Sequence, residues 1–118
     1  MRILDVDEAS PADTAGVARF LVEGERVEAA FVSPTGMILF TDRRILLSQR
    51  EHLLEERVET SSFPYREMRH FSLQEGPSAE GRSVLKIWLA AEPQPLHLRA
   101  NGGALFLSLQ RLLAGKLG

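Results

Sequence analysis

Hydrophobic positions along this chain recur with two different periods, and the change between them falls near Arg26. Upstream, Ser10-Pro11-Ala12-Asp13 has the form of a helix start, with Ser at the cap, Pro at the first helical position and an acid at the third. Val17, Phe20 and Leu21 follow at i, i+3 and i+4, an apolar stripe that Gly24 ends. The spacing predicts a short amphipathic helix of about three turns.

Beyond Arg26 the apolar residues alternate or cluster in short runs. They predict seven strands, at about 26–32, 36–41, 43–49, 55–63, 69–75, 84–91 and 95–100. Ser33-Pro34-Thr35-Gly36, Pro64, Gly76-Pro77-Ser78-Ala79-Glu80-Gly81 and Glu92-Pro93 separate them. Tyr65–Met68 has room for one helical turn after Pro64. A final helix is predicted from its broad stripe of Leu105, Phe106, Leu109, Leu112 and Leu113, with Asn101 as its cap. Seven short strands closed off by one amphipathic helix imply a strongly bent sheet or a partly open barrel, plugged at one end. The expected organisation is a single domain over 1–118, with a helical lead (1–24), strands (25–100) and a C-terminal helix (101–116).

Composition narrows the role. With 118 residues, 44% of them hydrophobic, the chain can bury a real core. The net charge of −2 provides no broad field to attract nucleic acid or an anionic membrane. Basic residues are nearly all Arg, with Lys only at 86 and 116, a bias that a GC-rich genome explains as well as phosphate binding does. The lack of cysteine excludes disulfides and thiol chemistry. Acids follow the N-terminus too soon for a signal peptide, so a cytoplasmic location is expected.

The order and spacing of several segments resemble the bacterial pleckstrin-homology (PH) domain family in its small single-domain form. They are Gly24-Glu25, Ala30-Phe31, Phe40-Thr41-Asp42-Arg43-Arg44, Val58-Glu59, Ser62-Phe63-Pro64-Tyr65, Leu85-Lys86-Ile87-Trp88 and Leu109-Gln110-Arg111-Leu112-Leu113. The resemblance covers nearly all of the chain from about Phe20. It implies a mainly β fold with α, a PH-like barrel of two near-orthogonal antiparallel sheets capped by the C-terminal helix. It also implies a non-enzymatic module, and ring-like homo-oligomers are associated with such proteins.

Signs of catalysis are weak. Gly76–Ser83 has the spacing of a phosphate-binding loop, but Arg82 stands where the lysine belongs and a strand follows instead of a helix. His52, His70 and His97 have no second ligand at a metal spacing. Asp5, Asp7, Glu8, Glu55 and Glu56 read as solvated acids. No catalytic residue, cofactor or metal is expected.

Two surfaces remain as candidates. Arg43, Arg44 and Arg50 form a possible anion patch for a peripheral membrane module, though they come later in the chain than the cations of phosphoinositide-binding PH domains. Specific phosphoinositide binding is therefore not expected. The alternative is that these arginines pair with Glu55, Glu56 or Glu59 across strands. The second surface follows from alternation: Leu85, Ile87 and Leu89 share one side of their strand, opposite Lys86 and Trp88, while Leu96 and Leu98 oppose His97 and Arg99. With the leucines facing the core, Trp88 points outward. Either the stripe of Val17, Phe20 and Leu21 covers it, or a second subunit or protein partner does, or the register differs from this reading. The leading expectation is a self-associating scaffold module, using Lys86, Trp88, His97 and Arg99 as its contact face.

Overall fold

The structure is a computed structural model, and it describes residues 2–52, 56–76, 82–101 and 104–117. Its strands are β1 (Arg2–Asp5), β2 (Asp7–Glu8), β3 (Val27–Ser33), β4 (Gly36–Thr41), β5 (Arg44–His52), β6 (Glu56–Pro64), β7 (Met68–Gln74), β8 (Arg82–Leu89) and β9 (Leu96–Asn101). Helix α1 (Pro11–Ala15) lies between β2 and β3 in the chain and α2 (Ala104–Lys116) follows β9, with 3-10 turns at Ala18–Phe20 and Tyr65–Glu67. The residues fall into two compact units, Asp7–Pro64 on the one hand and Met1–Val6 with Tyr65–Gly118 on the other.

The Asp7–Pro64 unit holds a sheet of order β2-β3-β4-β5-β6, antiparallel throughout. Ile38–Phe40 and Ile45–Leu47 are buried without interruption, as expected of central strands with both faces covered. On one face Val17 packs with Leu39 and Leu46, and Phe20, Leu21, Ala30 and Met37 lie against this cluster. On the other, Phe31 meets Phe40 edge to face at 6.1 Å between ring centroids.

The second unit holds a four-stranded sheet of order β1-β9-β8-β7. Here β1 runs parallel to β9 while the other pairs are antiparallel, so the sheet is mixed where an antiparallel one was expected. Leu85, Ile87, Leu89, Leu96 and Leu98 are buried, as are Phe106, Leu109 and Leu113 of α2. Phe106, Leu109 and Leu113 of the predicted C-terminal stripe thus lie on the buried side of the helix, and Leu112 is half-buried. Asn101 is the last residue of β9, and the cap of α2 lies outside the described residues. Gly102, Gly103, the side chain of Leu105 and most of the Gly76–Gly81 loop lie outside the described residues.

All seven predicted strands are present, and β1 and β2 are additional. The N-terminal helix is shorter than the three turns expected. Ser10 and Asp13 do form a reciprocal capping box, but α1 has only five residues. Its C-cap is Gly16, and Val17 adopts φ −112° and ψ 2° before the 3-10 turn. Glycine and β-branched residues favour helix poorly, and the apolar stripe needs only a turn to reach Leu39 and Leu46.

Candidate functional site

Pairing of four strands builds the outward face around Trp88. Within β8 the buried residues alternate with half-buried ones, and Trp88 and Lys86 belong to the second set. Lys86 lies opposite His97 in β9, and Trp88 lies opposite His70 in β7. Strand β1 adds Ile3 beside His97 and Asp5 beside Arg99. Lys86, Trp88, His97 and Arg99 therefore do share one face, on which Ile3, Asp5 and His70 are further members that the local sequence pattern did not reveal.

The side chains on this face are partly fixed. His70 and Trp88 are stacked, with ring centroids 4.1 Å apart and planes inclined by 17°. The Arg99 guanidinium donates from Nε and Nη2 to the two carboxylate oxygens of Asp5, each at 2.9 Å. That two-pronged geometry matches a planar guanidinium to a carboxylate and holds the Asp5 carboxyl below its ordinary pKa. Burial, and after it Lys86 and Arg99, lowers the pKa of His97, which favours the neutral imidazole. The N-terminal stripe packs on Leu39 and Leu46 of its own unit, and the ring stacked on Trp88 is that of His70.

The three arginines of the candidate anion patch are not brought together. Arg43 immediately precedes β5 and Arg50 lies near its far end, roughly 23 Å away at the usual rise of a strand. Arg43 is exposed and reaches the Glu23 carbonyl at 3.5 Å. Arg44, between them, is committed internally. Its Nε and Nη2 donate to Oε2 and Oε1 of Glu25, both at 2.9 Å, while Nη1 reaches Ser62 and Nη2 the Phe20 carbonyl. The partner is Glu25, not one of the cross-strand acids expected from the sequence.

Glu25 owes its position to a tight reversal. Gly24 has φ +83°, a left-handed conformation that favours glycine. The backbone N–H groups of Glu25 and Val22 then close the turn, the second onto Oε1 of Glu25. Thr41 donates its hydroxyl to Oε2 at 2.7 Å. Hydrogen bonds from Arg44 outweigh the opposing effect of burial and lower the Glu25 pKa to about 2.

Among the described residues no group of three or more histidine, cysteine or acidic side chains is placed to hold a metal ion. No helix among them is long and apolar enough to cross a membrane.

Two sheets and a C-terminal helix, with a face of aromatic and cationic side chains, define a PH-like module. The chain matches the bacterial PH domain family over residues 3–117 and belongs to it. It is 36% identical over 91 residues to the uncharacterized protein YjqA of Bacillus subtilis (strain 168), a match covering 74% of this chain and 73% of that one. Among solved structures it is similar to a DUF1696 family protein with a pleckstrin-homology domain from Shewanella loihica PV-4, with a TM-score of 0.76, 20% identity and coverage of 94% of this chain and 96% of the other. A pleckstrin homology domain from Shewanella amazonensis SB2B gives a TM-score of 0.66 at 20% identity, covering 92% of this chain and 98% of that one. Identities this low show the PH-like fold alone. Family membership supports a binding or scaffold module, of a kind that is generally non-catalytic.

Proposed function

We propose that the protein is a non-catalytic scaffold module that self-associates and contacts protein partners through the outer face of its four-stranded sheet. The observation that carries this reading is the position of Trp88. Its indole stands on the outward face with His70 stacked on it, two residues along β8 from Lys86, which forms a cross-strand row with His97 and the 43% exposed Ile3. An aromatic centre with a polar rim is the composition that protein interfaces favour, and tryptophan is prominent among residues that carry their binding energy. The Asp5–Arg99 pair holds one end of the face in a fixed geometry. No comparable set supports membrane attachment through Arg43, Arg44 and Arg50, because Arg44 is bound to Glu25.

Light scattering on a sizing column, at two protein concentrations, tests the reading. The expected result is a stable multiple of 13.1 kDa for the native chain and a smaller mass for Trp88→Ala with little change in unfolding temperature. A strict monomer at both concentrations would remove self-association. An oligomer whose mass Trp88→Ala leaves unchanged would place the contact on another face.

A further inference from the structure

The short helical segment covers only one end of the sheet face on which it packs. Leu39 and Leu46 lie beneath Val17, and the same face continues through Met37 and Ser48, which are paired in register, to the paired Arg50 and Val58. Because α1 stops at Ala15 and a 3-10 turn follows, a cavity of about 330 Å3 remains between the segment and this part of the sheet.

Val17, Phe20, Met37 and Val58 give the cavity apolar walls, and Arg19 and Arg50 add two guanidinium side chains. The Arg19 guanidinium lies 4.8 Å over the Phe20 ring, and the residue is exposed. Among the described residues neither arginine is held by a carboxylate. Asp13 also lines the cavity, but its carboxylate accepts hydrogen bonds from the backbone N–H and the hydroxyl of Ser10, at 2.8 and 2.9 Å. Two guanidiniums against that one carboxylate leave the wall with a single net positive charge.

We propose that this cavity binds a small amphiphilic monoanion, with a carboxylate head between Arg19 and Arg50 and an apolar tail on Val17, Phe20, Met37 and Val58. A guanidinium fork fits the two oxygens of a carboxylate, and the wall's single excess charge suits a singly charged head. The volume is near the lower limit of ligand pockets, about 300 Å3, and selects a tail of roughly eight to ten carbons instead of a whole membrane lipid. All of these groups lie within the Asp7–Pro64 unit, and none belongs to the Trp88 face. The site therefore stands or falls independently of self-association.

Isothermal titration calorimetry of the full chain tests the assignment, with octanoate, octanol and octyl phosphate as probes below their micellar concentrations. Octanoate is expected to bind saturably at one site, with octanol at least about ten-fold weaker. Arg19→Gln and Arg50→Gln should each weaken octanoate about ten-fold, the scale of a lost hydrogen bond to a charged group. Val58→Glu changes a residue that is 56% exposed and places a like charge on the wall, so it should weaken octanoate while the circular dichroism spectrum stays native. Absence of saturable octanoate binding would overturn the proposal. So would equal affinity for octanol, tighter binding of octyl phosphate, or affinity unchanged in both arginine variants.

Discussion

Arg44 and Glu25 form a two-pronged ion pair across 19 residues of sequence, with the Glu25 side chain fully buried and that of Arg44 23% exposed. A charge removed from water in this way is stable only because its hydrogen-bonding positions are met. Thr41 and the Val22 N–H supply the remaining donors to Glu25, while Ser62 and the Phe20 carbonyl receive the rest of the guanidinium. The pair thereby joins the 3-10 turn at Ala18–Phe20, the Gly24 reversal, and strands β4, β5 and β6.

Glu25→Gln should destabilise the protein strongly, because it leaves Arg44 without a counter-charge in a mostly buried position. The expected loss is about 3 kcal/mol, at the lower end for a broken buried pair because Arg44 retains some contact with water. A thermal melt should show the unfolding temperature lower by roughly 10 °C. A change of only a degree or two would mean that the hydrogen bonds hold the turn without the charge.

Acid should weaken the fold in two windows. The folded state lowers the His97 pKa from its ordinary 6.5, so the unfolded chain takes up this proton first and stability declines as pH falls below that value. The Glu25 pKa drops from 4.5 to about 2 on folding, so its contribution is complete above 4.5 and is lost between there and about pH 2. That contribution is on the order of 3 kcal/mol. Urea unfolding between pH 7 and pH 2.5 measures both windows. Glu25→Gln should flatten the lower one, and an unchanged acid slope in that variant would contradict this account.

Gly36→Ala tests the approach of β4 to β5. A Cβ atom at position 36 would stand 1.9 Å from the Ser48 carbonyl oxygen and 2.9 Å from its carbon. These are backbone atoms of the neighbouring strand, so no side chain can yield to relieve the clash. The strands must part instead, at a cost of about 2–3 kcal/mol or more, visible as a lower urea midpoint. Gly16→Ala serves as the control: among the described residues its Cβ would meet only the Asp13 carbonyl oxygen, at 3.7 Å, so it should be neutral or slightly stabilising.

The elements legible in the sequence were those specified locally. Alternation and turn residues located β3 to β9, and the same alternation put Trp88 on the side opposite Leu85, Ile87 and Leu89. Strand β1 escaped because four residues carry too little periodicity and its partner, β9, lies far along the chain. His70 escaped for a related reason, since its stack on Trp88 depends on the β7–β8 register, which shifts between Met68 and His70. The N-terminal stripe was legible as a stripe but not in its form: spacing at i, i+3 and i+4 fits a full helix and a turned segment equally well. Arg44 looked available to an anion because its partner comes from a loop, placed by the left-handed Gly24 rather than by strand pairing.

Strand β1 also bears on synthesis. Arg2–Asp5 leave the ribosome long before Leu96–Arg99, the residues beside which they lie, and the Asp5–Arg99 pair closes across 94 positions. Until β9 has been made the first segment therefore has no strand to join, while β3 to β6 can already pair with their neighbours. Completion of the four-stranded sheet is a late, long-range closure, and closures of this kind slow folding. Until then Leu4 and Val6, both buried in the finished protein, stay open to water and to passing chaperones.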